Sequence, residues 1–328
     1  MEYGKRMLVL GATGGIGGAI AGAMLQAGWH VRGMARAGSD RVGAPGGIDW
    51  VTGDAMRRDD VIRAADGVDV IVHAVNPANY RNWAQLVLPM IDNTIAAARA
   101  VGGARVVLPG TIYNFDPAKT PVLGATSPQA PRSRKGRIRV QMEQRLQDAA
   151  PEVPALILRS GDFFGPGATR SSWFAQAMVK PGQPLRRIVN PARSAGHSWA
   201  YLPDLARAFA LLLETPEALA PFERVQFRGL YDAEGTAMID ALQQACGHRL
   251  PVRRFPWWAL RLLAPLGGFL REAAEITPYW SHPVELDNSR LERLIGPEPA
   301  TPLTEAVRAT LQDFGCLDAA PALRPASS

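Results

Sequence analysis

Cysteine, histidine and long apolar runs are scarce in this 328-residue chain. Its two cysteines, Cys246 and Cys316, are far apart and lack metal-ligand spacing, which predicts a reduced, cytoplasmic protein. The five histidines form no HxxxH or HxH pair, so we expect no metal centre. No apolar run reaches the roughly eighteen residues of a membrane span. The first predicted strand begins near Met7, so we also expect no signal peptide before it.

The charge balance favours anionic partners. The chain has 36 lysines and arginines against 30 acidic residues, a net charge of +6. The densest basic patch, residues 132–139, lacks the interleaved aromatic residues of a single-strand nucleic-acid surface. An anionic cofactor or substrate explains this patch more simply, so we expect a small-molecule ligand and no nucleic acid.

Short apolar runs alternate with helical stretches through the first half of the chain, which predicts a doubly wound (Rossmann) parallel sheet of the α/β class with helices on both faces. The predicted strands are Met7–Leu10, Trp29–Ala35, Ile48–Thr52, Val68–Ala74, Ala104–Leu108 and Ala155–Arg159. The predicted helices between them are Met56–Ala65, Trp83–Val101 and Arg137–Ala149.

The amino-acid composition changes past about residue 165, where proline and glycine become frequent. We therefore predict a dinucleotide-binding domain over residues 1–165, to which residues 196–213 return. Residues 166–195 and 214–318 would form a smaller, mostly helical substrate lobe, and residues 319–328 a frayed tail. Several tryptophans in this lobe hint at an apolar or aromatic ligand. The sequence leaves open whether the protein forms a homodimer.

The most informative segment is glycine-rich and lies between the first strand and the first predicted helix. Such a turn presents backbone N–H groups at a helix N-terminus, where a pyrophosphate binds. We expect Gly11 to make the tight turn, Gly14 to admit the phosphates and Gly17 to let helix and strand pack closely. The predicted cofactor contacts of this segment are Gly11, Thr13, Gly14, Gly15, Ile16 and Gly17.

Three further cofactor contacts are predicted directly after other strands. Arg36 follows the second strand, where an arginine accommodates a 2′-phosphate and favours NADP over NAD, although NAD is also considered. A solvated surface arginine is the alternative. Asp54 follows the third strand and would either accept a hydrogen bond from the adenine or cap the next helix. Ala74 ends the fourth strand beside the expected ribose.

Several motifs together resemble extended short-chain dehydrogenase/reductases and, more narrowly, the NAD-dependent epimerase/dehydratase group. The motifs are Gly11-x-x-Gly14-x-x-Gly17, Arg36, Gly53-Asp54, Leu108–Tyr113, Leu158–Gly167 and Trp199–Leu205. The resemblance covers nearly the whole chain. It implies the doubly wound fold, a nicotinamide cofactor and a C-terminal substrate lobe.

The catalytic pattern departs from that group. The resemblance implies a Ser or Thr, a Tyr that transfers a proton, and a Lys four residues after it, yet the chain has no Tyr-x-x-x-Lys. Alignment of the active helix places Lys135 at the tyrosine position and Arg139 at the lysine position, and Pro109 replaces the hydroxyl residue. Tyr113 and Thr111 supply nearby hydroxyls and are the other catalytic candidates.

Lys135 and Arg139 lie four residues apart and so share one helical face. Arg139 could donate hydrogen bonds to ribose hydroxyls. Lys135, beside Arg139 and a positively charged nicotinamide, should have a depressed pKa and could serve as general acid. The alternative is that both are solvated charges over an inactive site.

Two functional hypotheses follow. The first is an NADP-dependent oxidoreductase or epimerase with an atypical active site that acts on a small carbonyl or alcohol substrate. The second is a catalytically silent NADP-binding redox sensor or regulatory protein. The charged residues on the active helix favour the enzyme, whereas the missing Tyr, Lys and Ser favour the sensor.

Overall fold

The computed structural model describes residues 5–41, 43–77, 83–168, 172–193, 195–263 and 274–317. Its strands are β1 (Arg6–Leu10), β2 (His30–Ala35), β3 (Asp49–Thr52), β4 (Val70–His73), β5 (Arg105–Gly110), β6 (Val122–Leu123), β7 (Ala155–Arg159), β8 (Asp162–Phe164), β9 (Ile188–Asn190), β10 (His197–Tyr201), β11 (Phe222–Gln226), β12 (Leu230–Asp232), β13 (Val252–Arg254) and β14 (Glu285–Leu286).

The α-helices are α1 (Gly15–Gln26), α2 (Arg58–Ala64), α3 (Trp83–Ala100), α4 (Arg134–Ala149), α5 (Leu202–Glu214), α6 (Ala237–Cys246), α7 (Trp257–Leu263), α8 (Pro278–Ser281), α9 (Ser289–Ile295) and α10 (Leu303–Asp313). A 3₁₀ turn covers Ile112–Asn114, directly after β5.

Seven strands form the central sheet in the order β11-β7-β5-β4-β1-β2-β3, and every neighbouring pair is parallel. The predicted α/β, doubly wound architecture is therefore confirmed. Because the strands are parallel, their carboxyl ends meet at one edge. The turns after β1, β4, β5 and β7 all leave the sheet there.

Helices cover both faces of the sheet because strand side chains alternate between the two faces. In β4, Val70 and Val72 belong to the apolar core shared with α1 and α5. Ile71, between them, belongs to the second core, which α2, α3 and α4 complete. A third, smaller apolar cluster joins the 3₁₀ turn to residues 276–286.

One strand departs from the predicted domain division. That division places residues 222–226 in the substrate lobe, whereas the structure pairs them with β7 at the edge of the central sheet. The physical reason is that β7 is buried along its whole length, so its outer edge needs a hydrogen-bonding partner. Within residues 196–213, α5 packs against α1 and β10 joins a three-stranded sheet with β8 and β12. The predicted tail, residues 319–328, lies outside the described residues.

No helix in the described part of the chain is long and apolar enough to cross a membrane. The same residues bring together no group of three or more metal-ligating side chains.

Candidate functional site

The glycine turn, residues 11–17, packs so tightly that two of its glycines are required. Gly11 has a φ of +93°, and a Cβ there would lie 2.6 Å from the carbonyl oxygen of Ala74. A Cβ on Gly17 would lie 2.2 Å from the carbonyl oxygen of Gly11. These distances are too short for any real Cβ atom, so neither Gly11 nor Gly17 can be replaced by a residue with a side chain without a shift of the backbone. The structure thus brings Gly11, Gly17 and Ala74 together at the carboxyl edge of the sheet.

The start of α1 fits an anionic group. Gly14 caps the helix in an extended conformation and provides no side-chain cap, and the first bond inside the helix runs from Gly18 N–H to Gly14 C=O at 2.7 Å. The N–H groups of Gly15, Ile16 and Gly17 therefore precede any intrahelical acceptor. A pyrophosphate suits such N–H groups, as the sequence predicts, and Thr13 and Gly14 are exposed at this edge.

Arg36 and Asp54 follow neighbouring parallel strands, since Ala35 of β2 lies opposite Thr52 of β3. Arg36 is exposed. Asp54 is half-buried, and its Oδ1 accepts a hydrogen bond from the Met56 N–H at 2.9 Å. Asp54 therefore stabilises the turn before α2 but does not cap the helix, whose N-cap is Arg57 and has no side-chain hydrogen bond. The adenine contact of Asp54 stays a proposal.

His73 ends β4 as a buried, neutral side chain. Its Nδ1 lies 2.8 Å from the Thr94 hydroxyl, which itself donates to the Met90 carbonyl at 3.0 Å. Because that hydroxyl proton is engaged, His73 must donate from Nδ1, and Nε2 carries the lone pair. Burial lowers the pKa of His73 to about 3, and the positive charge of Arg139 acts in the same direction. Arg139 therefore lies close to the end of β4.

Helix α4 begins at Arg134, three residues before its predicted start, because the Ser133 hydroxyl accepts a hydrogen bond from the Gly136 N–H at 2.9 Å. Along the helix, the apolar row of Ile138, Met142 and Leu146 is buried as expected. Lys135 is only 5% exposed. It is therefore not the solvated charge of the alternative hypothesis.

Gly136 allows α4 to contact the turn after β5. A Cβ at Gly136 would lie 2.1 Å from the Tyr113 carbonyl oxygen, so only glycine permits this approach. Lys135, next to it in sequence, is thereby placed beside the turn that carries Thr111 and Tyr113. The Thr111 hydroxyl accepts a hydrogen bond from the Tyr113 N–H at 3.2 Å, so it caps this turn.

Arg139 lies one helical turn further along α4 and is half-buried. Its guanidinium carbon lies 5.1 Å from the ring centroid of Trp83 in α3, a cation–π distance. Its Nη1 lies 3.9 Å from the Met142 sulfur. Lys135 thus lies beside the turn after β5, whereas Arg139 lies toward α3 and the end of β4.

A buried polar network that the sequence did not predict lies under these residues. Arg159 of β7 donates from Nη2 to both carboxylate oxygens of Glu143, at 2.8 and 2.9 Å, and from Nη1 to the Thr111 carbonyl. Glu143 also accepts from Asn114 at 2.8 Å and Gln129 at 2.5 Å. The sequence offers one signal for Glu143: it follows Arg139 by four residues and lies on the buried face of α4.

Tyr279 fixes α8 against the turn after β5. Its hydroxyl lies 3.0 Å from the Tyr113 carbonyl and 2.8 Å from the Phe115 carbonyl, and its ring packs edge-on against the Tyr113 ring at 5.0 Å. Burial and the nearby Asp116 carboxylate raise the pKa of the Tyr279 hydroxyl. Tyr279 is therefore a neutral hydrogen-bond donor. The sequence did not predict this contact, because Tyr279 lies more than 160 residues from Tyr113 in the chain.

The chain is similar to known proteins both in sequence and in fold. The sequence model of the NAD dependent epimerase/dehydratase family matches residues 7–226, about two thirds of the chain. The chain belongs to this family. The resemblance drawn from its motifs is thereby confirmed, and the family is one of nicotinamide-dependent enzymes by its description.

Individual relatives agree with this assignment. A 3-diazoavenalumate denitrifying reductase from Streptomyces is 30% identical over 177 residues, which cover 49% of this chain and 57% of that protein. The match therefore spans little more than half the length of this relative.

Solved structures share the fold over nearly the whole chain. A provisionally assigned epimerase from Burkholderia cenocepacia J2315 superposes with a TM-score of 0.74 at 19% identity, over 94% of this chain and 98% of its own. UDP-glucuronic acid 4-epimerase from Bacillus cereus in complex with NAD gives a TM-score of 0.72 at 16% identity, over 94% and 96% of the two chains. At these identities the likeness establishes the fold alone.

Proposed function

We propose that this protein is an NADP-dependent oxidoreductase that acts on a small carbonyl or alcohol substrate. The observation that carries the proposal is the burial of Lys135 beside the turn after β5, at the sheet edge that also holds the glycine turn. A cationic side chain held at this edge, where the nicotinamide would bind, is placed to contact the reacting part of a substrate.

The cofactor assignment rests on residues that would contact three parts of the dinucleotide: the pyrophosphate, the adenosine end and the nicotinamide ribose. The glycine turn and the first N–H groups of α1 would hold the pyrophosphate. Arg36 would pair with the 2′-phosphate that distinguishes NADP from NAD, and Asp54 would accept a hydrogen bond from the adenine. Arg139 would donate to the nicotinamide ribose, and Ala74 would line the ribose site.

The bound nicotinamide would supply or accept a hydride. The chain itself must then hold the substrate and move one proton. Lys135 is the proposed proton donor to the substrate oxygen, because it stands at the tyrosine position of the family pattern. Tyr113 is the second candidate, since its ring lies on the same turn. Thr111 would orient the substrate less directly, because its hydroxyl already accepts a backbone hydrogen bond.

Reduction fits these residues better than epimerisation. An epimerase must remove and return a hydride at one carbon, which requires a base that works in both directions. A buried lysine that gives up a proton suits the reductive direction. The name of the Streptomyces relative, a denitrifying reductase, points the same way.

The proposal is tested by mixing the protein with NADPH carrying deuterium on C4 and a panel of aromatic and aliphatic aldehydes and ketones. We expect deuterium in the alcohol product and equal loss of NADPH absorbance. Tight NADPH binding without transfer to any member of the panel would instead support the silent NADP-binding sensor, which the missing Tyr-x-x-x-Lys favours.

A further inference from the structure

Exposed apolar side chains are concentrated in one short stretch of the C-terminal half of the chain. Of the large apolar side chains that the structure describes, five are exposed, and three of these lie between residues 252 and 262. Val252 of β13 is 44% exposed, Trp258 72% and Leu262 71%. Trp258 and Leu262 lie four residues apart on α7 and therefore share its outer face. The proposed mechanism uses none of the three.

The opposite side of α7 is packed into the protein. Trp257 and Leu260 are only 6% and 7% exposed. Trp257 Nε1 donates a hydrogen bond to the Pro191 carbonyl at 2.8 Å, and the Trp257 ring lies 5.7 Å from the Trp173 ring. Rotation of α7 to bury its outer face would expose Trp257 and Leu260 instead. The outer face is therefore held toward solvent on a fixed support.

The surface beside the outer face of α7 is basic. Residues 241–263 contain no aspartate or glutamate. Arg253 and Arg254 end β13 just before α7, and both are exposed. The exposed Arg249 precedes β13, and the exposed Arg187 precedes β9, which pairs with β13. None of these four arginines forms an ion pair with a residue that the structure describes.

An exposed tryptophan and leucine flanked by arginines fit the surface of a negatively charged bilayer. Tryptophan prefers the membrane–water interface, because its ring is apolar and its N–H is polar. Arginines beside it reach the lipid phosphates while their stems cover apolar surface. We propose that the outer face of α7 docks this protein onto a membrane of anionic lipids. The helix lies on the surface and does not span it, since it has only seven residues.

Other occupants fit this face less well. A symmetric contact between two copies of the chain would bring the same arginines together, and like charges repel. Single-stranded nucleic acid binds by stacking its bases on aromatic rings, and neither Val252 nor Leu262 offers a ring. Docking concerns where the protein lies rather than which reaction it catalyses, so its test needs no substrate and does not depend on the proposed function.

The test is cosedimentation of the 328-residue chain with vesicles of phosphatidylglycerol or, separately, of phosphatidylcholine. We expect binding to the anionic vesicles, little binding to the neutral ones, and release at high salt, which screens the arginines. The double variant Trp258→Ser, Leu262→Ser should bind at least about tenfold more weakly, since burial of one such side chain contributes that much. Val122→Ser, at an exposed valine of β6, is the matched control and should bind normally.

The arginines are tested with variants of equal charge. The double variant Arg253→Gln, Arg254→Gln should weaken binding to phosphatidylglycerol about tenfold or more, since each basic residue near an anionic surface contributes roughly fivefold. The control, Arg207→Gln with Arg308→Gln, removes the same charge from exposed positions on α5 and α10 and should have little effect.

Tryptophan fluorescence reports the contact itself. All eight tryptophans lie within the described residues, and Trp258 is the exposed one among them. Lipids with brominated acyl chains should therefore quench part of the fluorescence of the bound protein. Trp258→Phe should still bind but lose this quenching.

Several outcomes would overturn the inference. These are no sedimentation with either vesicle, equal binding to both, and full binding by the double variant of Trp258 and Leu262 with a native circular-dichroism spectrum. Self-association of the unmutated chain that this variant abolishes would make a second copy the occupant and would also overturn it.

Discussion

Arg159 and Glu143 form an ion pair that is almost completely buried: the side chains are 1% and 4% exposed, and one guanidinium nitrogen contacts both carboxylate oxygens. The pair joins β7 to α4, and Arg159 also contacts the carbonyl of Thr111. The turn that carries Tyr113 and the helix that carries Lys135 are therefore fixed by one network.

Removal of one partner should destabilise the protein strongly. Glu143→Ala would leave the Arg159 charge buried and uncompensated, which costs about 3–5 kcal/mol. The exposed Glu217→Ala should change the free energy of unfolding by less than about 0.5 kcal/mol. Urea denaturation followed by circular dichroism measures both. An effect of Glu143→Ala as small as that of the control would show that the network contributes little.

Cofactor choice should depend on Arg36. If its guanidinium pairs with the 2′-phosphate, NADPH binds more tightly than NADH, and Arg36→Ala removes roughly 1.5–3 kcal/mol of that difference. Arg207→Ala, an exposed arginine on α5, serves as control. Calorimetric titration with both cofactors gives the values. Equal affinities in the unmutated protein would refute the NADP assignment.

The glycine turn should not tolerate a branched side chain where the phosphates approach. Gly14→Val introduces a Cβ whose nearest protein atom is 3.3 Å away, so we expect the fold to persist while cofactor binding is lost. Gly46→Val, at an exposed glycine where a Cβ would meet nothing within 4 Å, should bind normally. Retained NADPH affinity in Gly14→Val would place the cofactor elsewhere.

Lys135 should be required for turnover rather than for cofactor binding. With an aldehyde that the enzyme reduces, Lys135→Met should lower kcat about a hundredfold or more and leave NADPH affinity nearly unchanged. Arg139→Met should lower both kcat and NADPH affinity, because Arg139 would also hold the ribose. Arg137→Met, exposed on the same helix, is the matched control. Normal turnover by Lys135→Met together with an inactive Tyr113→Phe would make Tyr113 the proton donor.

His73 should make the protein less stable in acid. Its pKa is about 3 in the folded state against 6.5 for an unperturbed histidine, so between these values the unfolded chain binds one proton more. The free energy of unfolding therefore falls as the pH drops through this window, by up to a few kcal/mol, since each pKa unit corresponds to about 1.4 kcal/mol.

His73→Asn isolates this effect. Asparagine can still donate to Thr94 but does not titrate, so the variant should lose less stability than the unmutated protein between pH 7 and pH 4. Urea denaturation at a series of pH values gives the difference between the two proteins. Parallel curves would contradict the assignment of a neutral, buried His73.

The sequence by itself determined the fold class and the glycine turn. Alternation of short apolar runs and helical stretches depends on local periodicity, and a glycine that needs a positive φ, such as Gly11, can be recognised from its place between strand and helix. The buried row of α4 follows from the same periodicity. These features depend on neighbours in the chain.

Only the tertiary structure decided which distant residues meet. Whether Lys135 is buried or solvated depends on the approach of α4 to the Tyr113 carbonyl, which Gly136 permits. The partners of Glu143 and Tyr279 come from strands, loops and helices far away in sequence, and no local pattern encodes such contacts. Phe222–Gln226 joined the central sheet for the same reason: strand pairing satisfies the backbone of β7, an element some sixty residues earlier.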